Sequence, residues 1–166
     1  MPTTRTLILM RHAKSAYPGG VTDHDRPLAE RGQHEAGLAG DWLRANAPVI
    51  DEVLCSTAAR TAQTVTATGI EAPVRLSADI YDAAPEAILG QIKATAEPVH
   101  TLLVVGHAPG VPGLAMELAG TGPPVALDAL QSRFPTAAIA VLESDLDWSQ
   151  WNVGDARLVA FHIPRD

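Results

Sequence analysis

Basic residues are scarce in this sequence. Twelve lysines and arginines face 19 aspartates and glutamates, for a formal charge of −7. General nucleic-acid binding needs a basic face to neutralise phosphates, so that class is excluded. Any anion site must then be a local island of arginine in an acidic protein. Cysteine is nearly absent: Cys55 stands alone, which rules out an internal disulfide, fits a reducing compartment and, with apolar neighbours, reads as a core thiol. Long apolar runs are missing too, and nothing approaches the roughly 18 residues of a membrane span. The opening Met1-Pro-Thr-Thr-Arg-Thr6 shows no signal-peptide pattern, so a cytoplasmic location is expected. His24, His34, His100 and His162 lack metal-ligand spacing and read as surface or satisfied structural residues. No metal and no cofactor is expected. Repeats, low-complexity tracts and linkers are also missing, so residues 1–166 read as one domain.

What is present is a core-forming composition, 46% apolar and 19% charged, which excludes a disordered chain. Leu7 to Met10 is an apolar run short enough for a fully buried strand. A polar, Gly-, Pro- and Asp-rich stretch from Ala13 to Arg26 follows, too long for an ordinary strand–helix turn. A helix is expected from Pro27 to about Asn46, with Ala36, Ala39, Trp42 and Leu43 as its apolar stripe. Ile50–Cys55 reads as a second strand, Ser56 and Thr57 as N-cap candidates, and Ala58–Thr68 as a helix closed by Gly69. A short strand at Val74–Leu76, a helix from Pro85 to Ala96, a strand at Thr101–Val105 and a helix from Gly110 to Ala119 come next. The alternation predicts an α/β fold of three layers (αβα) around a mostly parallel sheet. Thr136–Leu142 and Arg157–Ile163 have no helix between them and predict a hairpin-like pair adding an antiparallel edge. The intervening Asp145–Trp151 reads as a surface turn with partly covered tryptophans.

Chemistry gathers where the strands end. Arg11 and His12 follow the first strand, Arg60 lies just past the second, and Gly106-His107 follows the Thr101 strand. Open α/β sheets bind ligands beyond the carboxyl ends of their strands. If these three strands are neighbours, the four side chains share one crevice. Two guanidiniums offer rigid forks of donors suited to phosphate oxygens. A neutral His12 can attack phosphorus in line and form a phosphohistidine, while His107 supplies a further donor to the transferring oxygens.

Arg11-His12-Ala13 resembles the Arg-His-Gly signature of the histidine phosphatase superfamily, the phosphoglycerate mutase-like fold. Ser56-Thr-Ala-Ala-Arg60-Thr-Ala-Gln-Thr64 is similar to that family's second-arginine helix, and Val105-Gly-His107 to its second histidine. Within the family, Arg11-His-Ala-Lys-Ser15, Asp25-Arg-Pro-Leu-Ala-Glu-Arg-Gly32 and Phe134-Pro-Thr-Ala-Ala-Ile-Ala140 resemble the SixA-type phosphohistidine phosphatases. The resemblance implies that His12 is the phosphorylated nucleophile, that Arg11, Arg60 and His107 bind the phosphoryl group, and that no metal takes part. Ala13 departs from the usual glycine, and no asparagine follows in the loop; Ser15 and Arg26 are the candidates for that phosphate-binding place. For Arg26 the competing reading is a salt bridge to Asp23 or Asp25. Asp82 is the candidate proton donor, against the reading of a loop carboxylate.

The expected activity is phosphoryl transfer to His12 followed by hydrolysis, acting on phosphohistidine in a protein. The alternatives are a small-molecule phosphomonoesterase for a sugar phosphate or nucleotide, and a non-catalytic phosphate-binding module. The expected partners are thus a phosphorylated protein or small phosphorylated substrate, with no nucleic acid and no membrane, and the chain is expected as a monomer.

Overall fold

Four fully buried apolar residues, Leu7 to Met10, sit in the centre of strand β1 (Arg5–Arg11). Side chains alternate across a strand, so Leu7 and Leu9 enter one core while Ile8 and Met10 enter another on the opposite face. Each such burial is worth roughly 1.5–3 kcal/mol, so β1 is fixed without help from the residues after it. This computed structural model describes residues 3–166; Met1 and Pro2, the first two residues of the N-terminal stretch, lie outside the described residues.

The remaining elements are α1 (Glu30–Asn46), β2 (Glu52–Ser56), α2 (Ala59–Thr68), β3 (Val74–Ser77), α3 (Pro85–Lys93), β4 (Thr101–Gly106), α4 (Gly110–Leu118), β5 (Ala119–Thr121), α5 (Pro124–Ser132), β6 (Ile139–Ser144) and β7 (Ala156–His162). The seven strands are ordered β3-β2-β4-β1-β6-β7-β5. β1, β2, β3 and β4 pair in parallel, and β6 runs against both β1 and β7. Helices α1 and α2 cover the core of Ile8 and Met10; α3 and α4 cover that of Leu7 and Leu9. This is the three-layer, mostly parallel architecture expected. β2, β4 and β1 are adjacent, which is the condition for one shared crevice.

Four expectations gain detail or correction. First, the expected antiparallel edge is present, with β6 running against β1 and β7, and a short β5, parallel to β7, lies outermost. Second, α5 has no counterpart in the sequence reading: it begins at a proline pair, with Pro123 at the N-cap and Pro124 in the first turn, where a proline is tolerated. Third, Trp148 and Trp151 are not partly covered surface residues. They stack at 5.1 Å and are buried, with Nε1 donating to the carbonyls of Val99 (2.6 Å) and Leu146 (3.1 Å). Those two bonds satisfy the indoles' polar atoms, which is what burial requires. Fourth, α1 starts at Glu30 rather than Pro27, because Leu28 is bridged to Ser15.

That bridge ties α1 to the loop after β1. Gly32 seals the join: a Cβ there would stand 2.1 Å from the backbone oxygen of Lys14. Only glycine allows the helix to come this close beneath the loop that carries the site.

Candidate active site

A cleft of about 290 Å³ opens beyond the carboxyl ends of β1, β2 and β4, and Arg11, His12, Arg60 and His107 all line it. The backbone delivers them directly. Arg11 closes β1, and the His12 N–H donates to the Gly106 carbonyl at 2.9 Å, joining the ends of β1 and β4. The His12 and His107 rings lie 5.4 Å apart. Arg60 occupies the first turn of α2, whose C-terminus is closed by Gly69 in the left-handed conformation. Thr64 clamps the two elements: its hydroxyl accepts from the Ala13 N–H at 3.0 Å and donates to the Arg60 carbonyl at 2.6 Å.

The wiring of His12 determines what it can do. Its Nδ1 lies 2.7 Å from the Ala13 carbonyl oxygen. A carbonyl only accepts, so Nδ1 carries the proton and Nε2 keeps its lone pair. Burial, above all, pulls the pKa of His12 down to about 4, the Ala13 bond opposing and the charges of His107, Arg60 and Arg11 adding to the pull. Burial, followed by Arg60, brings His107 to about 4 as well. Both rings are therefore neutral at pH 7.

The same cleft holds three buried polar atoms without a hydrogen-bond partner among the described residues: Arg11 Nε, Arg60 Nε and His107 Nδ1. Buried polar groups are seldom left unpaired, and three in one cleft point to an anion with several acceptor oxygens. The outer edges of both guanidiniums are already committed. Arg11 donates from Nη1 to the Phe134 carbonyl at 3.1 Å. Arg60 donates from Nη1 to the Asp23 carbonyl at 2.8 Å and from Nη2 to the Asp23 carboxylate at 3.2 Å.

Ser15 and Arg26 also line the cleft, and Arg26 makes the salt bridge to Asp23 that is its competing reading. Its Nη1 donates to Ser15 Oγ at 3.0 Å, and its Nε pairs with Asp23 at 3.1 Å. The guanidinium lies 4.1 Å from the centre of the exposed Tyr17 ring. Asp82 reaches the cleft too, 3.7 Å from Arg60 Nη2 and 3.8 Å from His107 Nδ1.

Three site residues escaped the sequence reading of function. Asp23 accepts from Arg26, Arg60 and a short bond from Tyr81, and the Tyr81 hydroxyl is the main cause of its pKa falling to about 2. Tyr81 packs its ring edge-on to His107 at 5.4 Å. Ser56, read only as a cap, holds His107 Nε2 at 2.8 Å instead; the N-cap is Ala58, without a side-chain bond. His24, read as a satisfied structural residue, bonds Thr57 at 2.9 Å and packs on Tyr81. Cys55 is a buried core thiol, and burial raises its pKa to about 11. Among the described residues no cluster of His, Cys, Asp and Glu is arranged to hold a metal, and no helix is long and apolar enough to cross a membrane.

The model of the histidine phosphatase superfamily (branch 1) matches residues 7–97. An uncharacterised protein of Mycobacterium tuberculosis is 54% identical over 159 residues, covering 94% of this chain and 100% of that one. The phosphohistidine phosphatase SixA of Escherichia coli is 32% identical, covering 84% of this chain and 85% of that one. A solved structure from Nakamurella multipartitia, ascribed to a SixA phosphohistidine phosphatase, superimposes with a TM-score of 0.89 at 39% identity, covering 98% of both chains. The shared architecture is phosphoglycerate mutase-like.

Proposed function

This chain belongs to the histidine phosphatase superfamily, and on that premise we propose that it is a phosphatase acting through a phosphorylated His12, with phosphohistidine in a protein as its substrate. The observation that carries this reading is that the unpartnered N–H donors of Arg11, Arg60 and His107 line the same cleft as His12, whose Nε2 lone pair is left free by the Nδ1 bond, among the described residues. Likeness to the SixA phosphatases supports the substrate class.

In the first step Nε2 attacks phosphorus in line, and a P–Nε2 bond forms as the bond to the leaving group breaks, its electron pair departing with that group. Charge on the equatorial oxygens is met by Arg11 Nε, Arg60 Nε and His107 Nδ1, with Ser15 and Arg26 at the rim. Water then attacks the phosphohistidine, the P–Nε2 bond breaks, and His12 returns to its neutral form as phosphate leaves. A pKa of about 4 keeps His12 unprotonated and nucleophilic at neutral pH.

The test is to mix the full chain with a histidine-phosphorylated protein, quench within milliseconds into alkali and map the peptides by mass spectrometry. One phosphoryl group on the peptide carrying His12, lost in His12→Ala along with turnover, is expected; turnover undiminished in His12→Ala would overturn the reading. Two guanidiniums and His107 supply the positive polarity that a metal provides in other phosphoryl-transfer sites. Activity should therefore survive dialysis against a chelator, and loss restored by a divalent cation would contradict a metal-independent reaction. A small-molecule phosphomonoesterase is the second reading. The reach of the Asp82 carboxylate into the cleft favours it, since an alkyl leaving group needs a proton.

A further inference from the structure

Phosphoryl binding accounts for the side chains at three strand ends but not for Ser56, the last residue of β2. Ser56 is fully buried, with its Oγ 2.8 Å from His107 Nε2 and 3.3 Å from the Ala58 N–H, which donates to it. A hydroxyl has one proton and two lone pairs. Ala58 takes one lone pair. Were the His107 proton on Nε2, that N–H would take the other, and the hydroxyl proton would be buried with no acceptor among the described residues. Native interiors avoid such a group. The arrangement closes in one way only: the Ser56 O–H donates to Nε2, and the His107 proton sits on Nδ1.

We propose that Ser56 is a positioning residue that fixes neutral His107 as its Nδ1–H tautomer and aims that N–H at the phosphoryl group in transfer. The catalytic half of this inference rests on the proposed phosphatase reaction; the tautomer does not. The two histidines are wired in opposite senses. A carbonyl, able only to accept, protonates His12 at Nδ1 and leaves Nε2 as a lone pair for attack. A hydroxyl makes His107 Nε2 an acceptor and leaves Nδ1–H as a donor, at the buried atom that lacks a partner among the described residues. One ring is set to give electrons and its neighbour to give a hydrogen bond. Neither setting would survive protonation, and burial keeps both rings neutral well below pH 7. Asp82 does not replace Ser56 in this role. Its carboxylate is 3.8 Å from Nδ1, beyond hydrogen-bonding distance, on a side chain that is 54% exposed.

The experiment labels the histidines of the full chain with ¹⁵N and records long-range proton–nitrogen correlations at neutral pH, with His107 assigned from the signals missing in His107→Gln. The expected result is a protonated Nδ1 and an acceptor-type Nε2. In Ser56→Ala the pair should shift toward Nε2–H or average between tautomers. The kcat on a histidine-phosphorylated protein should then fall roughly 10-fold to 100-fold, with KM little changed. In Asp82→Asn the tautomer should stay as in the parent. A proton on Nε2 of parent His107 overturns the inference even if Ser56→Ala fails to fold, and so does an unchanged tautomer in a folded Ser56→Ala. If the tautomer is as expected but the parent chain hydrolyses no phosphoryl substrate, the phosphatase reading falls instead, and with it the catalytic half.

Discussion

The two ends of the sheet treat their cations differently, and β1 spans both. At its amino end, Arg5 is buried, its Nη1 3.2 Å from Asp147 and its Nη2 bonded to the Glu97 carbonyl at 3.4 Å. The cleft beside it sets one arginine against three carboxylates, Glu97, Asp145 and Asp147. At the carboxyl end, Arg11 meets a carbonyl and, among the described residues, no carboxylate within bridging distance. Its cleft holds Arg11, Lys14, Arg26 and Arg60 against Asp23 and Asp82 only. In a protein of net charge −7, the positive end is the exception. A cation paired within the chain serves the fold, whereas a cluster left in charge excess is kept for an outside anion, at a cost in stability.

Exchanging the roles of the two arginines is the strongest way to break this comparison. Arg11→Met should lower kcat on an aryl phosphate by roughly 10²–10³-fold, since a donor to the transferring oxygens is lost. Its stability should hold or rise, because a cation without a carboxylate partner is removed. Arg5→Met should do the reverse: kcat unchanged and a loss of about 1–3 kcal/mol from its broken bonds. Steady-state kinetics and urea unfolding on both variants decide the matter. An Arg5 variant that fails in catalysis alone would erase the distinction.

Acid sharpens the same contrast. His12 and His107 each have a pKa near 4 in the folded chain, against an ordinary value of 6.5. The nucleophile is lost as the pH falls through about 4, so kcat/KM should drop about tenfold per unit below that. Stability changes with a definite sign. Between pH 6.5 and about 4 the unfolded chain binds more protons at these two sites than the native one, so stability is present above that window and declines as the pH falls through it. His12→Gln should flatten part of that decline, as measured by urea unfolding at neutral pH and near pH 5. An unchanged pH dependence in that variant would mean that His12 is not held neutral by burial.

The strand ends were legible because local pattern carried them. Apolar runs at Leu7–Met10 and Thr101–Val105 announce buried strands, and the residues just past such a strand lie at the sheet's carboxyl edge. Elements without a strong apolar stripe were not legible: α5 has Leu130 as its buried residue, too little periodicity to outweigh two prolines. The burial of the tryptophans was not legible in their own segment, because the carbonyl that satisfies Trp148 lies 49 residues away, at Val99. Distance in sequence hid Asp23, Tyr81 and Ser56 as well. Tyr81 meets Asp23 across 58 residues, and Ser56 meets His107 across 51. For Ser56 a signal did exist, since it ends β2 as Arg11 ends β1.

The smallest expected effect belongs to Asp82, the carboxylate that lies within 4 Å of both Arg60 and His107 among the described residues. It stands in a left-handed turn (φ 49) ahead of α3, a conformation that aspartate tolerates, and its side chain is 54% exposed with Arg60 Nη2 3.7 Å away. A general acid must hold a proton at the working pH, and carboxyls do so when buried away from cations. An alkyl phosphate expels an alkoxide, for which a placed acid is worth about 10²–10⁴-fold. A phosphohistidine whose other ring nitrogen bears a proton expels neutral imidazole, with a pKa of about 6.5, and needs no such help. The expected order of rates is phosphoramidate, then activated aryl phosphate, then alkyl phosphate. Asp82→Asn should cost less than about threefold on the phosphoramidate, well short of the range a general acid contributes. The check is kcat on all three substrates for the parent chain and the variant. A strong alkyl-phosphatase activity abolished by Asp82→Asn would make Asp82 the proton donor, place the acid within the positive cluster, and give the small-molecule reading the lead.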